Sequence, residues 1–203
     1  MSVIMAYKTK DKIYIGADNR TTALEDGSFR DNVNKIISIN NDVAVAFSGS
    51  YKSQILFNAI TRRKKNKINF RVEDALKYIK KIHRICKLFW FKRFSKQILN
   101  VGANFLVVGK NRNDEYCIYA VSISEGKLEE PTPVLKDWFI FPPHEADAIV
   151  CFDIYTKNAK KYPNKFIQRT IKDIAKNNKY ISSSGDVWIY DIKTGKSSSE
   201  HFN

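Results

Sequence analysis

Alternating apolar and polar residues open the chain and predict two strands, Ser2 to Tyr7 and Lys12 to Ala17, the second setting Ile13 and Ile15 opposite in face to Tyr14. The polar Thr9-Lys10-Asp11 segment between them reads as a hairpin turn. Asn19 to Asn34 has no strand or helix period and contains Glu25-Asp26-Gly27, a flexible step in a loop. Two further strands follow, Lys35 to Ile39 and Val43 to Phe47. Asn40-Asn41-Asp42 joins them, residues whose short polar side chains bond to nearby backbone in turns. At Ser48-Gly49-Ser50 the strand period ends and a helical one begins.

Ile55, Leu56, Ala59 and Ile60 mark one helical stripe. Val72, Ala75, Leu76, Ile79, Ile82, Cys86, Phe89 and Trp90 mark a longer one, with lysines and arginines on the opposite side. Core packing is the expectation for Phe89, Trp90, Phe91 and Phe94, with a partner patch as the alternative. Strands resume at Ala103 to Val108 and Tyr116 to Ser122, and Glu125-Gly126 forms a turn. Pro131 and Pro133 favour an extended edge. Ala146, Ile149, Val150 and Ile154 predict a third helix. Phe166, Thr170, Ile171, Ile174 and Ala175 predict a fourth, opened by Pro163-Asn164. Val187 to Ile192 is the last expected strand, and the tail after Gly195 is expected to fray.

The order is strands, helices, strands, helices, strand, which differs from the βαβα alternation of a doubly wound nucleotide fold. A glycine-rich phosphate loop is also missing from the sequence. Two packed sheets between two helical layers would bury both helical stripes and both sheet faces, in one domain spanning residues 1–203.

Composition narrows the class. A hydrophobic share of 43% with 28% charged residues is that of a folded chain and excludes general disorder. No apolar run approaches the ~20 residues of a membrane span, and the opening residues lack the apolar block of a signal peptide. Cys86, Cys117 and Cys151 are widely spaced among apolar residues, as reduced buried thiols are in a cytoplasmic protein. His83 has no second histidine at metal-ligand spacing and reads as structural; no metal or organic cofactor is expected. The formal charge of +14 is concentrated: Ile60 to Gln97 holds fourteen Lys and Arg against two acidic residues, a net +12. A solvated helix face accounts for this most simply, and the basic 60–97 region leaves nucleic acid open as a lesser partner.

The chain start carries candidate chemistry. Removal of Met1 would leave a hydroxyl and a free amine together on Ser2. An α-amine titrates near pH ~8, so it can accept the hydroxyl proton at neutral pH. A hairpin returns Asp18 beside Ser2, and Lys35 on the next strand can pair with Asp18, its positive charge favouring the deprotonated hydroxyl. The amide of Gly49, near a helix start, can face the oxyanion of a tetrahedral intermediate, a donor worth about 3 kcal/mol. Thr21, Thr22 and Ser50 belong to the same expected cleft, as substrate-binding residues or as plain loop residues.

These residues resemble the proteasome β-type subunits, including the proteolytic ring subunit of the bacterial two-component ATP-dependent protease. The resemblance lies in Ser2 ahead of Gly16-Ala17-Asp18, in Arg20-Thr21-Thr22, in Asn34-Lys35-Ile36, in Gly49, and in Ser184-Gly185-Asp186-Val187-Trp188-Ile189-Tyr190. It implies an α+β fold, the four-layer αββα sandwich of the N-terminal nucleophile hydrolases. It further implies peptide-bond hydrolysis by Ser2, with Asp18, Lys35 and Gly49 completing the catalytic set. The implied partners are a peptide or unfolded-protein substrate, further copies in a homo-oligomeric ring, and a regulatory ATPase. The sequence departs from the family where a serine-containing turn is usual before the third helix, having Phe141-Pro142-Pro143-His144-Glu145 there. A catalytically inactive subunit is therefore the first alternative, an amidase acting on a small amide the second and a nucleic-acid-binding role the third. A Ser2–His144 arrangement is a weaker option, since sequence fixes no distance between the two.

Overall fold

The hairpin expected at the chain start forms. In the computed structural model, which describes residues 2–22, 28–64, 68–144, 147–162 and 165–203, β1 (Ile4–Lys8) pairs antiparallel with β2 (Lys12–Asp18), placing Ile4 opposite Ala17. Thr9 closes the turn: its Oγ1 accepts from the Asp11 and Lys12 amides at 3.3 and 2.9 Å. Met1, the Glu25-Asp26-Gly27 step, Glu145, Ala146 and the Pro163-Asn164 helix opening lie outside the described residues.

A short ribbon follows, β3 (Thr21–Thr22) with β4 (Phe29–Arg30). Next come β5 (Ile36–Ser38) and β6 (Val43–Gly49), then β7 (Ala103–Lys110), β8 (Tyr116–Ser124), β9 (Lys127–Leu128) and β10 (Thr132–Pro133). The last strands are β11 (Trp138–Phe141), β12 (Gly185–Asp191) and β13 (Lys196–Phe202). One sheet runs β11-β1-β2-β12-β13 and the other β10-β8-β7-β6-β5, with β9 also on β8. The pairings are antiparallel, so one face of each sheet can turn to the other sheet and one to helices.

Three apolar layers result. Ile4, Ile15, Ala44, Leu106 and Trp188 pack between the sheets. Helices α1 (Tyr51–Thr61), α2 (Val72–Leu88) and α3 (Arg93–Val101) cover the second sheet through Phe57, Ile79 and Ile98, which meet Val45 and Phe105. Helices α4 (Ala148–Lys161) and α5 (Phe166–Asn177) cover the first, with Tyr155 and Ile171 against Met5, Tyr14 and Val187. This is the four-layer αββα arrangement, an α+β fold. Among the described residues no helix is long and apolar enough to cross a membrane.

Four expectations are corrected. The tail after Gly195 does not fray; it is β13, fully paired with β12 from Lys196 opposite Asp191 to Phe202 opposite Gly185. The inward face of α1 carries Ser53, Phe57 and Thr61, while Ile55 is exposed. Both of those polar residues are satisfied locally: Ser53 and Thr61 donate their hydroxyls to the Ser50 and Phe57 carbonyls, both at 2.7 Å. In α4 the buried face is Cys151, Tyr155 and Asn158, leaving Ile149 and Val150 outside. Finally, α2 ends at Leu88, so Phe89 and Trp90 belong to an exposed turn rather than to its buried stripe.

Candidate active site

Three strands converge on one buried lysine. Lys35 lies just before β5, and its carbonyl accepts from the Phe47 amide of β6 at 3.0 Å, fixing the backbone there. Its side chain is 3% exposed. The ammonium donates to Ser2 Oγ at 2.7 Å, to Asp18 Oδ1 at 3.0 Å and to the Arg20 carbonyl. Three donors therefore meet three acceptors, which uses the full capacity of an ammonium. Burial holds the Lys35 pKa below the ordinary lysine value, with Asp18 offsetting only part of that effect.

Asp18 ends β2 and is fully buried. Besides Lys35, its Oδ1 accepts from the Val3 amide at 2.9 Å, and its Oδ2 from the amides of Arg20 and Ser182 at 3.0 and 3.4 Å. Such charge-assisted bonds replace the water a buried carboxylate has lost. The glycine two residues earlier has a packing reason: a Cβ on Gly16 would fall 2.2 Å from Ile167 Cγ2 of α5. Sheet and helix can approach here only because that atom is missing.

Gly49 ends β6 with φ +81°, and a Cβ there would lie 2.7 Å from the Gly102 carbonyl oxygen. The next amide, that of Ser50, donates to the same carbonyl at 2.9 Å. The strand-to-helix step is thus pinned to the end of α3 in a conformation that glycine adopts most readily.

Ser2, Thr21, Thr22, Gly49 and Ser50 line one cleft of about 530 Å³. Tyr51, Lys52, Gln97, Val101 and Asn104 extend its walls, and Pro142 and Pro143 form part of its rim. All seven residues singled out from sequence therefore meet around one region: Asp18 and Lys35 beneath Ser2, and the others at the cleft surface. His144 is exposed, and its neighbours Pro142 and Pro143 are the residues that reach the cleft. Burial pushes the thiols of Cys151 and Cys117 up to about 11 and about 12, which leaves them unionised at neutral pH.

Sequence reasoning missed several supports. Ser182 contributes a backbone amide to Asp18, a role that no side-chain pattern announces. Its hydroxyl is 2.7 Å from that of Ser184, whose carbonyl in turn accepts from the Asn19 amide at 3.1 Å. Arg20 grips Asp31 through two 2.8 Å bonds and donates to the Lys179 carbonyl at 2.7 Å, tying the loop after β2 to the segment before β12. That hydrogen-bonded pairing with Arg20 holds the Asp31 carboxyl below its usual range.

Comparison with known proteins yields the following. A family model described as "Proteasome subunit" matches residues 2–133, more than half of the chain. No curated protein matches. Among solved structures, Anbu (ancestral beta-subunit) from Yersinia bercovieri superposes with a TM-score of 0.72 at 11% identity, covering 98% of this chain and 86% of that one. Anbu from Hyphomicrobium sp. strain MC1 gives a TM-score of 0.69 at 11% identity, covering 98% of this chain and 86% of that one. At such identity the structural likeness speaks to the fold.

Proposed function

Because the chain belongs to the proteasome subunit family, we propose that it hydrolyses peptide bonds with Ser2 as an N-terminal nucleophile, exposed by removal of Met1. The observation that carries this reading is the contact of the buried Lys35 ammonium with Ser2 Oγ at 2.7 Å and Asp18 Oδ1 at 3.0 Å. A lysine taken out of water and aimed at a hydroxyl stabilises the oxygen as it loses its proton.

In the proposed reaction the Ser2 amine takes the hydroxyl proton while Oγ attacks the substrate carbonyl. The Gly49 amide donates to the oxyanion that forms. Collapse breaks the C–N bond, and the proton passes from the Ser2 ammonium to the leaving amine. Water then attacks the acyl ester, with the same amine as base, and releases the carboxylic acid. Asp18 keeps Lys35 in place and balances its charge. With Met1 attached, the nitrogen of Ser2 is a peptide nitrogen without basicity, so processing switches the site on. Thr21, Thr22 and Ser50 line the cleft along which an extended peptide would lie. Proteasome-family subunits typically form oligomeric rings; we extend this to a homo-oligomer of this chain.

The test is chemical. Intact-mass measurement on protein from its own cell should give a chain beginning at Ser2. A β-lactone electrophile should acylate that residue, and Ser2→Ala should abolish both the label and peptide turnover. Unchanged turnover in Ser2→Ala would end this reading. A second reading, a non-catalytic subunit, is favoured by Pro142 and Pro143 on the cleft rim, in place of the serine turn expected from the resemblance. Assembly without any electrophile labelling of processed protein would decide for it.

A further inference from the structure

Between α2 and α3 the chain turns through Leu88, Phe89, Trp90 and Phe91, which are 72, 48, 63 and 56% exposed. Apolar residues scattered singly over a surface need no explanation, but four consecutive large ones do. Their own segment of the chain is cationic. From Ala75 to Asn113 the sequence contains no Asp or Glu, and Arg84, Lys87, Lys92, Arg93 and Lys96 are exposed around the turn. The Lys92 and Lys96 ammonium groups lie over the rings of Phe91 and Trp90 at 5.2 and 5.7 Å. Phe89 and Phe91 meet edge to face at 6.2 Å. The tip is an apolar wedge inside a collar of positive charge.

Helix α3 leads from this wedge to the cleft. The Lys52 ammonium sits 5.9 Å from the ring of Phe94 in the first turn of α3, and Lys52 also lines the cleft, as do Gln97 and Val101 of the same helix. Helix α3 spans about 14 Å, a distance that about four extended residues of a polypeptide bridge.

We propose that the α2–α3 turn is an accessory binding surface for unfolded polypeptide bearing acidic and apolar side chains, which it holds while a neighbouring segment enters the Ser2 cleft. The inference rests on the peptidase reading above. Apolar side chains of the bound chain bury against Leu88, Phe89 and the ring edges, while its carboxylates pair with the cationic collar. Single-stranded nucleic acid fits less well, because base stacking needs open ring faces and the protein's own ammonium groups occupy faces of Trp90 and Phe91. The path along α3 to the cleft favours a polypeptide over a lipid surface, since only the former has a reason to reach both places.

The experiment measures binding rather than turnover. Fluorescein-labelled casein, an unfolded acidic polypeptide, is titrated by anisotropy with the full chain carrying Ser2→Ala. Adding Trp90→Ser and Phe91→Ser should weaken binding about tenfold, as should adding Lys92→Glu and Lys96→Glu, and rising salt should weaken it further. In protein with Ser2 intact, Trp90→Ser with Phe91→Ser should leave hydrolysis of a short fluorogenic peptide within about twofold of the parent. Casein that does not bind, or binds equally to all forms, overturns the proposal. So does a change in assembled mass on Trp90→Ser and Phe91→Ser, which would make the turn a contact between copies. Loss of binding to an RNA oligonucleotide or to anionic vesicles, with casein affinity intact, overturns it in favour of those partners. Were Ser2→Ala to retain full turnover while casein binding still depended on the turn, the peptidase mechanism would fall and this surface would stand.

Discussion

Lys35 and the lysines of α2 are the same side chain in opposite surroundings. Lys35 is buried, has every N–H engaged and has its pKa lowered by burial. Lys77, Lys81 and Lys87 stand exposed on a helix whose other face supplies the core, and water solvates them. The exposed group adds charge to the surface, whereas the buried lysine joins Ser2 to Asp18. Counting charges along a sequence finds the first; the strand order and the resemblance point to the second, and its burial and partners set it apart. A buried cation must be compensated by the fold, so its removal disturbs the fold, whereas a solvated one can leave with little consequence.

The sharpest way to break this contrast is Lys35→Met. It leaves the fully buried Asp18 carboxylate without its cation, though still with three backbone donors. We expect a loss of about 3 kcal/mol in denaturant unfolding, the low end for breaking a buried pair because those amides remain. Peptide turnover should vanish. A loss below about 0.5 kcal/mol, the range of ordinary surface substitutions, would place Lys35 with the solvated lysines.

Gly49→Ala tests whether backbone geometry matters as much as charge at the cleft. An alanine there takes φ +81° and sets its Cβ 2.7 Å from the Gly102 oxygen. Strain of about 1–3 kcal/mol should appear in unfolding. Turnover should fall by more than the stability loss explains, because the Gly49 amide moves with the strained step.

A smaller effect separates the two classes of lysine by pH. The folded-state pKa of Lys35 is depressed by burial, so over the interval up to the unfolded value near ~10.4 the unfolded chain binds more protons. Stability contributed through this group is therefore lost as pH falls through the folded pKa and regained as pH rises toward the unfolded one. Unfolding measured from neutral to alkaline pH should have a more positive slope in the parent than in Lys35→Met. Equal slopes would mean that Lys35 titrates in the fold as it does in water.

Much of the site was readable because its parts lie at the ends of short hairpins. The alternation through Ile13 and Ile15 carries β2 to its end at Asp18, and the change from strand to helix period at Ser48-Gly49-Ser50 marks the end of β6 at Gly49. Elements whose strand or helix character comes from a partner were harder to read. β13 carries Ser197, Ser198 and Ser199 and has little intrinsic strand signal; the ladder to β12 and the burial of Phe202 hold it. β11 pairs with β1 through a four-residue segment crowded between prolines. In α1 the pattern found Leu56 and Ile60, which pack against the core, but missed Ser53 and Thr61, because buried hydroxyls that bond to nearby backbone escape a hydrophobic count. The Ser182 amide that supports Asp18 is backbone, and its approach depends on packing between residues far apart in the chain.

The least disruptive substitution tests the other half of the comparison. Lys77 and Lys81 are four residues apart on the exposed side of α2, where like charges at this spacing repel weakly. Replacing both by alanine removes that repulsion and adds a better helix former at each position. The expected change in unfolding free energy is therefore zero to a gain of a few tenths, within about 0.5 kcal/mol, and short-peptide turnover should be unaltered. Such a result, beside the loss on Lys35→Met, would give identical side chains opposite outcomes according to burial alone. A loss above about 1 kcal/mol would exceed what solvated surface positions produce. It would mean that the α2 face makes a stabilising contact in solution, most simply with another copy of the chain, and the division between solvated and working lysines would have to be redrawn.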